Sequence, residues 1–360
     1  MKLLLFIPSL GSGGAERQLV SLALIFKEAG HDVEFLIYHK DFFYEHILSR
    51  YSIRVNYLET SNSIDRILKI RRFIRSNDWD TVISFLETPS FIACLSAIGG
   101  KKWKLITTEL SSKKSTFQTL RGRLFCYSRK YSDFIVCNSY NAKAMWLSHY
   151  SEYKDKLRVI YNPVILPQID SQYTIKKDGK LNIVIAASYQ YLKNPIGLIN
   201  ALNLMDVNFR NKISINWYGR KEITKGDTAA YDEAVFLIKK FKLSNIISLN
   251  DPTTDIANKM NQADVVALFS ELEGLPNAIC EAMMIGKPII MTKFSDYSVL
   301  IDGNGFLCDW NDPNSIKDAL EKAINLSHSE IKDYGLKSRR KALNLFSPDL
   351  VLKEWIDICR

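Results

Sequence analysis

Two glutamates, Glu273 and Glu281, bracket the start of a helix within the segment SELEGLPNAICEAMMIGKP. The apolar run Val265–Phe269 reads as a buried strand, and a loop, Ser270–Leu275, follows it. Pro276 suits the first turn of a helix, and Gly286 followed by Pro288 ends it. The amino end of such a helix offers unpaired N–H groups and the positive end of a dipole, which suits a diphosphate. Glu273 sits in the loop and Glu281 two turns into the helix. A carboxylate accepts two hydroxyl hydrogen bonds at once, so the pair suits polyhydroxylated rings on either side of a phosphate. Taken alone, the same residues also read as a solvated loop glutamate and a surface helix glutamate.

A second loop with chemical reach is Gly11-Ser-Gly-Gly-Ala-Glu-Arg17, directly after the first apolar run. Glycines there let backbone approach a ligand closely. The unit also opens as dinucleotide folds do, but the third glycine of G-x-G-x-x-G falls on Glu16, which argues against a nicotinamide site. Asp78-Trp-Asp80 mimics a metal-binding Asp-x-Asp, but it lies at a strand entrance far along the chain from the Glu273 segment.

These loops need strands and helices to hold them. Leu3–Pro8, Val33–Tyr38, Thr81–Phe85, Leu105–Thr107 and Phe134–Asn138 read as short buried strands with helical stretches between them. Ala15–Ala29 has helical spacing, with Leu19, Leu22, Ala23 and Phe26 on one face and Gly30 as its stop. The pattern restarts after a polar stretch, with strands at Leu181–Ala186, Ile213–Tyr218, Ile246–Leu249, Val265–Phe269 and Pro288–Thr292 and a helix near Pro195–Leu204. Alternating strands and helices predict parallel sheets covered on both faces. The expected fold is α/β, two doubly wound Rossmann-like domains facing across a cleft, over residues 1–168 and 175–346.

Composition narrows the classes. The chain has 360 residues, 47% of them apolar, enough for two cores. No apolar run reaches the roughly 18 residues that span a bilayer. The start, Leu3–Leu10, reads as a strand rather than a signal segment, because a glycine loop and a polar-faced helix follow it. The six cysteines form no Cys-x-x-Cys pair, which points to scattered buried thiols and away from metal binding through sulfur. Residues 1–165 carry 24 Lys+Arg against 15 Asp+Glu, whereas residues 166–360 carry 24 against 24, so the whole net charge of +9 sits in the first half. Its densest parts are Arg66–Arg75, RILKIRRFIR, and residues 101–131, where Lys113, Lys114, Arg121, Arg123, Arg129 and Lys130 mix with Trp103, Phe117, Phe125 and Tyr127. Basic and aromatic faces suit an anionic membrane surface or nucleic acid, or are simply a solvated face over a packed helix. No nucleic-acid recognition module accompanies them.

The Glu273 segment resembles the donor-site signature of the family 4 glycosyltransferases of GT-B fold: a glutamate, seven residues, a second glutamate, with Gly274, Leu275 and Pro276 in the usual pattern. GGAER over Gly13–Arg17 is similar to the opening of the same family, and the likeness runs to Phe346-Ser-Pro and the last helix, Leu350–Cys359. The resemblance implies that Glu273 lies by the donor sugar hydroxyls, that Glu281 binds the ribose, and that the amides between them, with Asn277, meet the diphosphate. It implies that Lys193, in Ala186-Ala-Ser-Tyr-Gln-Tyr-Leu-Lys193, neutralises the pyrophosphate. Ser188 stands where the family often has arginine, and Arg220 after Trp217-Tyr-Gly219 is a candidate for the missing charge. Gly14 is assigned to the donor side, and Gly13, Arg17 and Glu109 to the acceptor side.

The activity implied is a retaining transfer, with a nucleotide-sugar, by default a uridine diphosphate hexose or N-acetylhexosamine, as donor and a lipid-linked glycan or similar acceptor. No cofactor or metal is expected, and the departing phosphate serves as the base. The resemblance also favours an anionic membrane surface, through 66–75 and 101–131, over nucleic acid, and places residues 347–360 back on the first domain. Rival readings are a nucleotide-sugar epimerase or phosphorylase on the same fold, and a non-catalytic partner subunit, which Ser188 keeps open.

Overall fold

The computed structural model describes residues 1–110, 115–167, 179–222, 224 and 226–360. The chain divides into two compact units, Met1–Ile165 with Ser347–Arg360, and Leu166–Phe346.

The first unit holds a seven-stranded parallel sheet. Its strands are β1 (Lys2–Phe6), β2 (Asp32–Ile37), β3 (Arg54–Tyr57), β4 (Thr81–Ser84), β5 (Lys104–Glu109), β6 (Phe134–Cys137) and β7 (Leu157–Val159). They lie in the order β3-β2-β1-β4-β5-β6-β7. The period of two in a strand sends alternate side chains to opposite faces. Leu3 and Leu5 accordingly join one core with Leu19, Leu22 and Phe26 of helix Gly14–Glu28 and with Val351, Trp355 and Ile358 of helix Pro348–Cys359. Leu4 and Phe6 join the opposite core, with Ile70 and Ile74 of helix Ser63–Arg75 and Ile92 and Ala93 of helix Glu87–Ala97. A strand buried on both faces must be apolar at every position, and Leu3, Leu4, Leu5 and Phe6 are all fully buried. The last helix is also tied by a hydrogen bond, as Thr81 Oγ1 donates to the Cys359 carbonyl at 3.1 Å.

The second unit holds a six-stranded parallel sheet of β8 (Leu181–Ala186), β9 (Ile213–Tyr218), β10 (Ile247–Asn250), β11 (Val265–Leu268), β12 (Ile289–Thr292) and β13 (Gly305–Cys308). The order is β10-β9-β8-β11-β12-β13. One face packs Ile183, Ile185, Ile215, Trp217, Val265 and Ile290 against helices Pro195–Leu204, Ala229–Lys240 and Pro313–Ile324. In both units the strand order reverses beside the first strand, between β1 and β4 and between β8 and β11. At such a switch point the loops leaving neighbouring strands diverge and leave a crevice at the carboxyl ends.

β3, β7 and β13 are not among the strands read from sequence. All three are sheet-edge strands in which at most one residue is fully buried. Helix Gly14–Glu28 begins one residue earlier than Ala15, with Gly13 as its amino cap at φ −77°.

Candidate functional site

In the second unit the site grows from the two strands that meet at the switch point. β11 passes through Phe269 into a loop in which Ser270 is fully buried, and the Thr292 hydroxyl bonds its carbonyl. β8 enters Ala187–Gln190 and then a single 3₁₀ turn, Tyr191–Lys193. Asn194 closes that turn in the left-handed region at φ +61° and caps helix Pro195–Leu204 by accepting from Gly197 N at 3.1 Å. The loops are joined directly, since Glu271 N donates to the Leu192 carbonyl at 2.9 Å.

Neighbouring strands thus bring Lys193 and Glu273 into contact. The ammonium donates to Glu273 Oε1, and Ser270 Oγ donates to the same oxygen at 2.8 Å. The two side chains are only 18% and 15% exposed, so the pair is largely shielded from water. An ammonium has three donors, so Lys193 keeps capacity for anionic oxygens while it bonds Glu273.

Helix Asn277–Ile285 follows immediately. Pro276 is its amino cap rather than its first residue and makes no side-chain cap bond. Its missing N–H removes one orphan donor, and the helix turns on Ile279 N and Cys280 N, which donate to the Pro276 carbonyl at 3.0 and 3.1 Å. Glu281 therefore stands just over one turn into the helix, not two, on the same face as Asn277 four residues earlier. Both are half-buried, while Leu275 and Pro276 are buried and fix the loop. The helix ends on Gly286 at φ +91°.

Ser188 and Arg220 leave adjacent strands, β8 and β9. Tyr189 N donates to the Arg220 carbonyl at 2.9 Å, and Ser188 Oγ accepts from Gln190 Nε2 at 2.8 Å. Tyr189 is buried and pins this end of the sheet, its hydroxyl reaching the Trp217 and Asn250 carbonyls at 2.8 Å each. Gly219 passes so close to the Ala187 carbonyl that a Cβ there would lie 1.9 Å from the oxygen. Arg220 is exposed, just beyond that contact.

The candidate residues of the first unit form a separate group. A Cβ on Gly13 would lie 2.1 Å from Glu16 Oε2, and one on Gly11 2.4 Å from Asp41 Oδ2. Acidic side chains thus lie against the glycine loop, and burial first, then the nearby Asp41 charge, raises the Glu16 carboxyl pKa. Gly14 starts the helix and is exposed, and Arg17 is half-buried on its first turn. Glu109 ends β5 instead of following it. It is buried and accepts from Trp146 Nε1 at 3.3 Å, so it is not a plain loop residue.

Much of the basic surface has internal work. On helix Ser63–Arg75, Arg71 and Arg75 bond the last carbonyls of the neighbouring helix, including Leu95, Ser96 and Ile98. Arg66 covers the Tyr38 ring, and Lys69 pairs with Asp65 at 3.0 Å. Both basic helices also expose apolar side chains at helical spacing, Ile64 and Leu68 on helix Ser63–Arg75 and Leu120, Leu124 and Tyr127 on helix Leu120–Ser128, the last three 86%, 55% and 57% exposed. Arg121 stands beside the second of these faces. Lys113 and Lys114 lie outside the described residues. Asp80 of Asp78-Trp-Asp80 accepts from Lys2 N at 2.7 Å, a link at a strand entrance. All six cysteines are buried free thiols. Among the described residues, no group of three or more His, Cys, Asp or Glu side chains is placed to hold a metal ion.

The model for Glycosyltransferase Family 4 matches residues 12–166, and that for Glycosyl transferases group 1 matches residues 168–340. The chain belongs to the family 4 glycosyltransferases. This glycosyltransferase is 23% identical, over 90% of its length and 89% of the relative's, to the GalNAc-alpha-(1->4)-GalNAc-alpha-(1->3)-diNAcBac-PP-undecaprenol alpha-1,4-N-acetyl-D-galactosaminyltransferase of Campylobacter jejuni. It is 23% identical, over 99% of both chains, to the amylovoran biosynthesis glycosyltransferase AmsD of Erwinia amylovora. Among solved structures, HepE of Anabaena in complex with UDP matches 99% of both chains with a TM-score of 0.85 at 17% identity, which shows the GT-B fold.

Sequence reading missed several residues that hold the glycosyltransferase site together. Ser270 orients Glu273, Asn194 turns the chain after Lys193, and Tyr189 pins β8 to β9. Asn194-Pro195 carries a visible signal, a cap residue before a helix-starting proline. Tyr189 carries none, because its partners Trp217 and Asn250 are distant in sequence, whereas Ser270 stands only three residues before Glu273, inside the same segment.

Proposed function

We propose that this protein is a retaining transferase that moves a hexose or N-acetylhexosamine from uridine diphosphate to a hydroxyl of a lipid-linked glycan. The pathway is assembly of a bacterial surface polysaccharide such as the O-antigen of lipopolysaccharide. The observation that carries the reading is the contact of Lys193 with Glu273 beside the start of helix Asn277–Ile285. That arrangement joins a cation, a hydroxyl-binding carboxylate and helix N–H groups. In this reading Glu273 accepts from the donor sugar hydroxyls and Glu281 from the ribose. Lys193, Asn277 and the Gly274–Pro276 backbone surround the diphosphate, with Ser188 and Arg220 at the neighbouring strand ends.

The acceptor oxygen bonds to the anomeric carbon on the face from which the phosphate leaves. The carbon–oxygen bond to the diphosphate breaks, and the acceptor proton passes to the departing phosphate oxygen, giving the glycoside and uridine diphosphate. No enzymic general base, metal or cofactor takes part. Charge developing on the leaving group is met by Lys193 and the helix dipole. Gly13, Gly14 and Arg17 are assigned to the loop that meets substrates in the first unit, and Glu109 to the acceptor side.

One relative supports the acceptor class, since the Campylobacter enzyme's name includes a PP-undecaprenol-linked glycan, and the Erwinia enzyme's name, amylovoran biosynthesis, supports a biosynthetic role. No helix of the described residues is long and apolar enough to cross a membrane. Contact with an anionic bilayer is assigned to the Leu120–Leu124–Tyr127 face, with Arg121 beside it, and to 66–75 less, since Arg71 and Arg75 there bond internal carbonyls.

The test is calorimetric titration of the wild type and Glu281→Ala with UDP and a panel of UDP-sugars. The wild type binds at least one sugar nucleotide, and the variant loses affinity while melting at the same temperature. Equal affinity in both proteins would remove the ribose role and the donor site built around it.

A further inference from the structure

The first unit carries a basic groove that the donor reading does not use. It runs along the open edge of β7 and has a volume of about 380 Å³, within the roughly 300–1,000 Å³ of small-ligand sites. Lys143 of helix Tyr140–His149, Lys154 just before β7 and Arg158 on β7 line it, with Tyr140 and Val159 beside them. Asp155 is the one acid in its lining, so the groove holds an excess of positive charge.

Among the described residues no carboxylate pairs with Lys143, Lys154 or Arg158, and neither lysine ammonium makes a hydrogen bond. Nearby lysines are committed elsewhere: Lys101 pairs with Asp133, and Lys156 bonds the Lys130 and Ser132 carbonyls. Arg158 is held in place, as Nη1 donates to the Asp155 and Leu157 carbonyls at 2.9 and 3.1 Å and the guanidinium lies over the Phe134 ring, 4.9 Å from its centre. A guanidinium has five N–H donors, so Arg158 keeps capacity for a ligand. β7 pairs only with β6, and Ile160 N donates to the Cys137 carbonyl, so the Val159 N–H turns to the open edge. The groove thus offers ammonium, guanidinium and amide donors, the set that holds phosphate oxygens. A strand added from another chain would need carbonyls from this edge as well, and Arg158 already occupies that of Leu157.

We propose that this groove is a phosphate-binding site, separate from the nucleotide-sugar site, in which Lys143, Lys154 and Arg158 hold the oxygens of one phosphate group. That group is carried by a phospholipid head or is free in solution. Position favours the first: the hydroxyl of Tyr153, next to Lys154, reaches the Cys126 and Tyr127 carbonyls at 3.3 and 3.2 Å. The groove is thereby tied to helix Leu120–Ser128, whose exposed leucines are assigned to the bilayer. The site rests on no part of the donor reading, and only its lipid source rests on the proposed bilayer contact.

The experiment uses the full chain and three variants. Lys143→Gln/Lys154→Gln removes two charges from the groove, and Lys239→Gln/Lys240→Gln removes two from exposed positions of helix Ala229–Lys240 as a charge-matched control. Asp155→Asn removes the groove's acid. Inorganic phosphate and glycerol 3-phosphate are titrated by amide NMR against chloride at equal ionic strength, and vesicles of phosphatidylglycerol or phosphatidylcholine by sedimentation. In the wild type phosphate shifts the groove amides with saturation and chloride does not. The groove variant weakens that binding by roughly tenfold or more, the effect of lost charge-assisted hydrogen bonds, and the control does not. Asp155→Asn strengthens it, a gain that misfolding cannot produce. Binding to phosphatidylglycerol vesicles falls roughly fivefold for each groove lysine removed, and less in the control. A saturable phosphate response with unchanged vesicle binding assigns the site to soluble phosphate, and the reverse assigns it to lipid headgroups. A phosphate response that is absent or survives the groove variant, together with vesicle binding that falls no further than in the control, overturns the inference. Failure of the donor reading shows separately, as a wild type that binds no uridine nucleotide.

Discussion

Lys193→Met tests the charge at the centre of the donor site. The substitution keeps the length of the side chain and removes the ammonium that contacts Glu273. An exposed ion pair contributes under about 1 kcal/mol, whereas breaking a fully buried one costs about 3–5 kcal/mol. Exposures of 18% and 15% put this pair between those limits, and Ser270 Oγ still donates to Glu273 at 2.8 Å after the change. The expected loss of stability is about 1–3 kcal/mol, or roughly 5 °C in the melting of a unit this size. The expected loss of activity is larger, about 100- to 1,000-fold in kcat, because a fixed donor aimed at developing charge is removed. Uridine diphosphate release in the presence of acceptor gives kcat, and circular dichroism gives the melting curve. Lys193→Met/Glu273→Gln, in which no charge is left unpaired, recovers part of the stability but none of the rate. A Lys193→Met enzyme that melts earlier yet turns over within about threefold of wild type would show a structural pair only and refute the leaving-group role.

Other outcomes follow from the same geometry. Gly335→Ala sets a Cβ 2.3 Å from the Gly286 carbonyl oxygen and forces apart the two helices that meet there, with an expected loss of about 1–3 kcal/mol in urea unfolding. The Glu16 carboxyl is held above its ordinary 4.5, mainly by burial, so the native state binds its proton more tightly than the unfolded chain. Glu16 therefore lowers stability as pH rises from about 4.5 towards neutrality, and Glu16→Gln makes the stability–pH curve flatter over that range; an unchanged slope would mean that Glu16 titrates alike in both states. Leu120→Ser/Leu124→Ser weakens sedimentation with phosphatidylglycerol vesicles and leaves donor titration intact, and equal sedimentation of both proteins would remove this face from the membrane contact.

Local sequence determined a good deal of this molecule. A short apolar run with no polar gap followed by a glycine loop, such as Leu3–Leu4–Leu5–Phe6, reads as a strand covered on both faces, and the interior strands of both sheets were legible as short apolar runs. So was helix Asn277–Ile285, because its stop, Gly286 at positive φ, is a local backbone requirement. The Glu273–Glu281 spacing and the family likeness it carries are local as well. The edge strands β3, β7 and β13 were not legible, since each buries at most one residue and so carries little apolar pattern.

Only the tertiary structure decided which distant residues meet. Lys193 and Glu273 are eighty positions apart, and they touch because β11 pairs with β8 while β9 and β10 lie on the other side. That choice of neighbour is a non-local pairing, settled by how whole helices cover both sheet faces. The same cause buried Glu109 against Trp146 and turned Arg71 and Arg75 from free surface charge into caps for a neighbouring helix. It also left Gln18 Oε1 and Asn138 Oδ1 unmet beside one pocket. Whether a polar atom has a partner depends on the chain folded around it, and a one-dimensional sequence does not hold that information.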